Sequence, residues 1–244
     1  MMIVIYFLVG LFVNNLVSAR IEDLNDVTRN DLNETEPDKL RVFDLLDFLE
    51  QVKFSKENDT VLLQVYYESF CPFCVQFFTG ELKTVIETLG QYIDIRTYPY
   101  GNAKTIIDEN GKYKIECQHG PAECYGNKLH ACALDLLQNK TEALIFNSCL
   151  MTRRKNTRGS DDKAADACGT ELNVDSNKIK ECAKGNKGDE LLKYYGDESK
   201  KANFHYVPYI LVQGRVNDRG DLIKDICSVF VNPPPPCKDT ESVK

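Results

Sequence analysis

Cys71-Pro72-Phe73-Cys74 sets two thiols three residues apart. At the start of a helix, Cys71 would face unpaired backbone N–H groups and the positive end of the helix dipole. Both favour the thiolate, which is the nucleophile in exchange and also the better leaving group. Cys74, one turn further on and more buried, could attack a mixed disulfide formed on Cys71. Pro72 suits the first turn, where its missing N–H is not needed. The chemistry would be thiol–disulfide exchange, with Cys71 and Cys74 as catalytic residues. A structural bridge and half of a zinc site are the competing uses of the pair. Zinc needs further ligands, for which Cys117, His119, Cys124, His130 and Cys132 are candidates. In an oxidising compartment exchange is favoured, and we expect no metal and no cofactor.

The flanking residues predict the elements that must hold this pair. Val61 to Tyr67 is a short β-branched and aromatic run that suits a central strand buried on both faces. Phe78, Leu82, Val85, Ile86 and Leu89 share a helix face, so one helix is expected from Cys71 to Leu89, closed by Gly90. Ile93 to Tyr98 alternates as a second strand. Residues 103–202 contain no convincing strand, only helical patches around Asn127–Leu137, Thr141–Leu150 and Asn177–Tyr195. Tyr206 to Val212 reads as another strand, Gly214 as a turn, and Asp221–Val231 as a closing helix. Pro233 to Pro236 should be extended polyproline leading to Cys237. A C-x-x-C within a βαβ pattern is the thioredoxin-like signal. The expected fold is therefore α/β and thioredoxin-like, with a helical insertion at about 103–202 between the second strand and the proline-containing strand. In such folds a cis-proline lies beside the C-x-x-C, and the preceding residue offers its backbone to substrate. Val207-Pro208 fits that place; an ordinary trans proline at a strand start is the alternative. Pro72, Phe73, Val207 and Pro208 are the expected substrate contacts.

The rest of the chain indicates its route. Residues 1–19 carry no charged side chain, Ile3 to Val13 is apolar, and Val17-Ser18-Ala19 resembles a signal-peptidase site. The apolar run is shorter than the ~20 residues of a spanning helix, so a cleaved signal peptide and no stable membrane insertion are expected. The chain would then enter an oxidising route with its 10 cysteines. Sequons at Asn33, Asn58 and Asn139 agree with that route. Residues 20–57 form an acidic N-terminal segment that could serve as a removable pro-segment, with Val42, Leu45, Leu46, Leu49 and Val52 at helical spacing. The main domain is expected over 58–232 and a Pro-rich tail over 233–244. A hydrophobic content of 43% excludes global disorder, and a net charge of −7 argues against nucleic acid as a partner.

Residues 117–132 read Cys-Gln-His-Gly-Pro-Ala-Glu-Cys-Tyr-Gly-Asn-Lys-Leu-His-Ala-Cys. This resembles the C-Q-H-G-x-x-E-C-x-x-N-x-x-x-x-C signature of the gamma-interferon-inducible lysosomal thiol reductase family. Tyr66-Tyr67-Glu68, Pro99-Tyr100-Gly101-Asn102-Ala103, Glu181-Cys182-Ala183 and Tyr206-Val207-Pro208 agree, so the resemblance runs from about Val61 to Cys237. It implies reduction of protein disulfides in acidic endosomes and lysosomes, by a glycosylated lumenal protein with removable end segments. Tyr209 stands where the family often has Trp, which bears on substrate contact. The implied partners are disulfide-containing proteins and a small-thiol or dithiol electron donor. The compartment is the lysosomal or endosomal lumen, or the extracellular space. A thiol oxidase or isomerase, and a secreted binding or immune protein on the same fold, are the competing readings.

Cys117, Cys124, Cys132, Cys149, Cys168, Cys182, Cys227 and Cys237 are an even number and read as structural disulfide cysteines, connectivity open. Cys227 and Cys237 are near enough in sequence to pair. His119 is either a proton donor or, with Gln118 and Gly120, part of a turn. His130 is expected on a helix face, His205 ahead of the Pro208 strand, and Arg153, Arg154, Lys155 and Arg158 in a solvated loop.

Overall fold

The run Val-Leu-Leu-Gln-Val-Tyr-Tyr has the residue types that suit a pleated, buried surface, and it forms strand β1, Val61–Tyr67. The computed structural model describes residues 60–153, 159–217 and 220–238. After β1 come α1 (Pro72–Thr79), α2 (Glu81–Leu89), β2 (Ile93–Pro99), β3 (Lys104–Ile107) and β4 (Tyr113–Glu116). Five helices follow: α3 (Pro121–Leu136), α4 (Lys140–Thr152), α5 (Asp162–Leu172), α6 (Ser176–Lys184) and α7 (Asn186–Ala202). The chain then returns as β5 (Tyr209–Val212), β6 (Arg215–Val216), α8 (Leu222–Ser228) and α9 (Pro235–Lys238).

The main sheet has the order β2-β1-β5-β6. β1 and β2 are parallel, with Val61 opposite Ile93 and Tyr67 opposite Pro99. A parallel pair needs a crossover, and α1 with α2 supplies it. β5 runs antiparallel to β1, pairing Tyr66 with Tyr209. This pairing brings the segment just before Tyr209 beside the end of β1, where the Cys71 loop begins. One core packs Leu63, Val65 and Tyr67 of β1 against Phe78, Leu82, Val85, Leu89, Leu222 and Ile226. The α/β thioredoxin-like arrangement is as expected, with β3 through α7 inserted between β2 and β5.

Several local expectations are corrected. The helix after Cys71 is two helices, because Gly80 adopts φ −115°, ψ −92° and serves as the C-cap of α1 and the N-cap of α2. The insertion does contain strands: β3 and β4 form an antiparallel hairpin. Their residues are mostly exposed, so no buried alternation marks them; the signal was the turn Asp108–Lys112, where Asp108 Oδ1 accepts from the N–H groups of Asn110 and Lys112. α5 carried no large apolar stripe because it buries Ala164, Ala165, Cys168 and Gly169. The proline run is not extended throughout, since Pro235 opens α9, where a missing N–H costs nothing. The closing helix ends at Ser228, short of Val231, and the last main-sheet run forms a strand only from Tyr209.

The helical insertion has its own core of Leu129, Phe146, Leu150, Ile179 and small residues. Disulfides Cys132–Cys182 and Cys149–Cys168 lie within it. Cys117–Cys124 ties the loop before α3 to its first turn, and Cys227–Cys237 ties α8 to α9. The cysteines offered as zinc ligands are thus disulfide-bonded. His130 is fully buried between the two cores, with Nδ1 3.0 Å from the Tyr67 hydroxyl and Nε2 2.9 Å from Ser160 Oγ. Burial holds its pKa down, at about 3. Among the described residues no helix is long and apolar enough to cross a membrane. The expectations for residues 1–57, for Asn58, for Arg154, Lys155 and Arg158, and for the tail beyond Lys238 lie outside the described residues.

Two stability predictions follow from these contacts. Cys132–Cys182 spans a separation of 50 residues, so replacing both cysteines by Ala should cost on the order of 2–4 kcal/mol in urea denaturation. The folded state excludes a proton from His130 that the unfolded chain takes up below its ordinary pKa of about 6.5. Stability is therefore unaffected by this group above about pH 6.5 and falls as pH drops toward 3, with about 2 kcal/mol already lost at pH 5. His130→Gln should therefore lose less stability than wild type between pH 7 and pH 5; an unchanged difference would refute the assignment.

Candidate active site

Cys71 is the N-cap residue of α1, with extended backbone (φ −62°, ψ 122°) and Pro72 in the first turn. Cys71 and Cys74 are both free thiols. The Cys74 thiol donates to Cys71 Sγ, and the backbone N–H groups of Cys74 and Phe73 point at the same sulfur. The thiol hydrogen bond is the largest influence on Cys71; burial opposes it, the two N–H groups add to it, and the charge of His119 contributes last. The hydrogen bonds win, bringing the Cys71 pKa down to about 6. Cys74 is the converse: it is wholly buried, and its role as donor to Cys71 adds to the effect of burial, so its pKa is pushed far above the usual thiol range. Above about pH 6 the pair therefore holds one negative charge, and that charge sits on Cys71.

The Val207–Pro208 peptide bond is cis. Val207 O lies 3.9 Å from Cys71 Sγ, at the length of a weak sulfur hydrogen bond. Phe73 is 70% exposed and Pro72 is exposed, whereas Val207 and Pro208 are half-buried. These four residues, expected from the sequence as substrate contacts, rim the Cys71 sulfur. Tyr209 stacks on Phe204 with ring centroids 5.3 Å apart, and Tyr66 stacks on Tyr98 at 4.4 Å. The rim is thus backed by an aromatic cluster.

The segment 117–127 packs against this loop residue by residue. Asn127 Oδ1 accepts the Ser69 N–H at 2.9 Å, fixing the turn between β1 and Cys71. Gln118 Oε1 accepts from Asn102 Nδ2 at 2.8 Å. Gly120 precedes α3 with φ +86°, a conformation open to glycine and rare for other residues. His119 does more than shape a turn. Its Nδ1 is 2.5 Å from Glu123 Oε2 and 3.4 Å from Glu68 Oε2, and its N–H donates to Glu123 Oε1 at 2.9 Å. Glu68 and Glu123 are both fully buried. Glu68 is raised to about 7, chiefly by burial and then by the charge of Glu123; the Asn102 N–H, at 2.7 Å from its Oε1, opposes this. One ligand atom from each of Glu68, His119 and Glu123 lies within 4.8 Å of the others, but Glu123 already engages the imidazole nitrogen. The arrangement is a hydrogen-bonded acid–imidazole network rather than a set of waiting metal ligands.

Glu68 is the residue that reasoning from motifs underrated. Its sequence signals were an acidic side chain between a buried strand and the C-x-x-C, and its place in the Tyr66-Tyr67-Glu68 match. Among the other residues singled out, Asn139 is exposed and caps α4, accepting the Thr141 N–H at 2.9 Å. His205 is exposed, and Arg153 pairs with Glu171.

The family model described as gamma interferon inducible lysosomal thiol reductase (GILT) matches residues 62–172. GILT-like protein 2 of Drosophila melanogaster is 32% identical over 176 residues, covering 71% of this chain and 78% of that protein. The gamma-interferon-inducible lysosomal thiol reductase of Carassius auratus is 32% identical over 194 residues, covering 75% and 73%. Among solved structures, reduced DsbA from Mycobacterium tuberculosis superposes with a TM-score of 0.52 at 17% identity, covering 73% of this chain and 86% of that one. The reduced disulfide oxidoreductase DsbG of the same organism gives 0.51 at 18%, covering 75% and 84%. These two likenesses speak for the fold. With identity to the Drosophila protein extending over most of both chains, and the C-x-x-C and the 117–132 segment in place, the chain belongs to the gamma-interferon-inducible lysosomal thiol reductase family.

Proposed function

We propose that this thiol–disulfide oxidoreductase reduces protein disulfides through Cys71 and Cys74, and that it does so in an acidic lumen. The observation that carries the reading is a free Cys71 thiol at the N-cap of α1, with Cys74 one turn on, Val207 O 3.9 Å from its sulfur and Phe73 exposed beside it. Hydrogen bonds from Cys74 and Phe73 bring its pKa down to about 6. At pH 5 an ordinary thiol of pKa about 8.5 holds less than a thousandth of its population as thiolate. A pKa of about 6 leaves roughly a tenth. Cys71 would thus remain a working nucleophile where an unassisted thiol would not.

In the first step the Cys71 thiolate attacks one sulfur of a substrate disulfide. A mixed disulfide forms and the other substrate sulfur leaves as a thiolate. In the second, Cys74 attacks Cys71 Sγ, closing the Cys71–Cys74 disulfide and releasing the remaining substrate thiolate. Two electrons pass to the substrate, and a small-thiol or dithiol donor must return them. A stabilised Cys71 thiolate favours the reduced form of the pair, so net reduction depends on a steady donor supply. Pro72, Phe73, Val207 and Pro208 would contact the substrate chain, with Tyr209 and its aromatic neighbours extending that surface.

The lumenal address rests on the sequence of residues 1–19 and on the sequons at Asn33, Asn58 and Asn139, and on the family's lysosomal members. We read 1–19 as a signal peptide, 20–57 as a removable acidic segment, 58–232 as the reductase domain and 233–244 as a tail. The exposure of Asn139 is compatible with a glycan there. Cys71→Ser should abolish reduction of a protein disulfide at pH 5, while Cys74→Ser should accumulate a covalent enzyme–substrate species on non-reducing gels. Full turnover by Cys71→Ser would overturn the assignment.

A further inference from the structure

We propose that the groove between β3 and the end of α7 binds an extended, acidic segment of the substrate protein while its disulfide is at Cys71. The inference rests on the dithiol reading above and names the substrate class that the same site takes. Sheet order places the groove at the dithiol end of the molecule's main sheet. Pro99 of β2 lies opposite Tyr67 of β1, and Tyr66 lies opposite Tyr209 of β5. The chain leaving β2 at Tyr100, the chain leaving β1 toward Cys71 and the chain entering β5 from Pro208 therefore meet at one end of the sheet. The groove lies there, with Gly101 and Asn102 in its wall against Glu68. Phe204 and His205, also in its wall, lead into the cis Val207–Pro208 bond. Its volume is about 770 Å³, within the range of sites that enclose a ligand.

Specific contacts hold the walls. The Tyr100 ring forms part of one side, and its hydroxyl is 2.7 Å from Thr105 Oγ on β3. α7 lies flush on that ring because residue 196 is glycine: a Cβ there would come within 2.5 Å of Tyr100 Cε2. Toward the Cys71 loop, the Asn102 N–H donates to Glu68 Oε1 at 2.7 Å and the Asn102 side-chain amide donates to Gln118. Phe204 stacks on Tyr209 and packs tilted on Tyr66, with centroids 5.3 and 5.2 Å apart. The groove is thus preformed, and it is continuous with the aromatic cluster that backs the Cys71 rim. A hairpin strand facing a helix leaves an open channel, which admits a single extended chain and not a folded surface.

Charge selects the segment. Lys104, Lys193, Lys200 and Asp197 line the groove. Asp197 is taken up by Lys193, whose Nζ is 2.7 Å from its Oδ2. Lys104 and Lys200 are exposed and have no ion-pair partner among the described residues. Two uncompensated cations therefore line a channel in a chain whose net charge is −7. Acidic side chains of the substrate supply the missing partners, and apolar ones lie against Phe204 and the exposed Ile106. Free carboxylates keep their charge down to about pH 4, so the pairing operates in an acidic lumen. Exposed ion pairs are individually weak. Here two act together on a chain that is also held at Cys71, which raises their effective strength. They bear on substrate affinity and leave the exchange between sulfurs unchanged.

Two disulfide-dimerised peptides test this at pH 5, with full-length enzyme and dithiothreitol as donor. One carries glutamates beside its cysteine and the other lysines. Lys104→Glu with Lys200→Glu should raise KM for the glutamate peptide about tenfold, lower it for the lysine peptide, and leave kcat for both unchanged. Turnover of bis(2-hydroxyethyl) disulfide, uncharged and too small to span the groove, should match wild type. Lys112→Glu with Lys163→Glu makes the same change in net charge at exposed residues outside the groove and should shift neither KM. An unchanged ratio of the two KM values in the groove variant, or an equal shift in the second variant, would overturn the proposal. So would self-association of the wild type that the groove variant loses, since the groove would then be a contact between copies. Fluorescence anisotropy of the alkylated glutamate peptide with Cys71→Ser enzyme reads the groove without the chemistry. Adding the two groove substitutions should weaken binding about tenfold, and equal binding would refute the groove. Reduction of bis(2-hydroxyethyl) disulfide by Cys71→Ser, or none by wild type, would instead overturn the dithiol reading itself.

Discussion

One negative charge, held on a nearly buried sulfur at the start of α1, is the constraint around which this molecule is arranged. Burial alone would protonate Cys71. The Cys74 thiol and the N–H groups of Phe73 and Cys74 reverse that by donating to its sulfur. This requires the two cysteines one helical turn apart, a helix beginning at Pro72, and a buried Cys74 with no better acceptor. It also requires the end of β1 to deliver the chain at a fixed angle, and the Ser69 N–H bond to Asn127 provides that. The insertion is therefore part of the active-site scaffold and not an appendage to it.

That dependence explains why the insertion is heavily cross-linked. The loop that meets the dithiol carries Cys117, and the helix that follows carries Cys124, Asn127, His130 and Cys132. Three of the four disulfides fix this region, through Cys117–Cys124, Cys132–Cys182 and Cys149–Cys168. Cross-links of this kind chiefly constrain the unfolded chain, so they remain in force when acid removes other support. His130 is one place where acid removes support, because the folded state denies it a proton. A buried neutral histidine that bridges Tyr67 and Ser160 thus gives rigidity near neutrality at some cost in acid, against which the disulfides act.

The sequence made some of this legible and concealed the rest for physical reasons. Cys71 and Cys74 stood out because their spacing has few uses, and Pro208 because a proline at a strand start carries meaning once a C-x-x-C lies upstream. β1 and β2 were readable from β-branched and aromatic content. The β3–β4 hairpin was not, since it buries little and so leaves no alternation. α5 escaped because it packs through Ala and Gly, and Gly80 divided a helix whose apolar spacing ran on without interruption. The network of Glu68, His119 and Glu123 was hidden more deeply. Its members come from two segments about 50 residues apart in sequence, brought together only on folding, by contacts such as Ser69 with Asn127 and Tyr67 with His130. A turn-forming His119 and a histidine held by two buried carboxylates look the same in one dimension.

The charge on Cys71 can be measured directly. The rate of alkylation of reduced enzyme by iodoacetamide, followed from pH 4 to pH 9 in a Cys74→Ala background and in wild type, reports the thiolate fraction of Cys71. In wild type the rate should be half-maximal near pH 6. In Cys74→Ala, which removes the strongest hydrogen bond, the midpoint should move upward. A wild-type midpoint near the ordinary thiol value of about 8.5, unchanged by the loss of Cys74, would contradict the stabilised thiolate on which this view of the molecule rests.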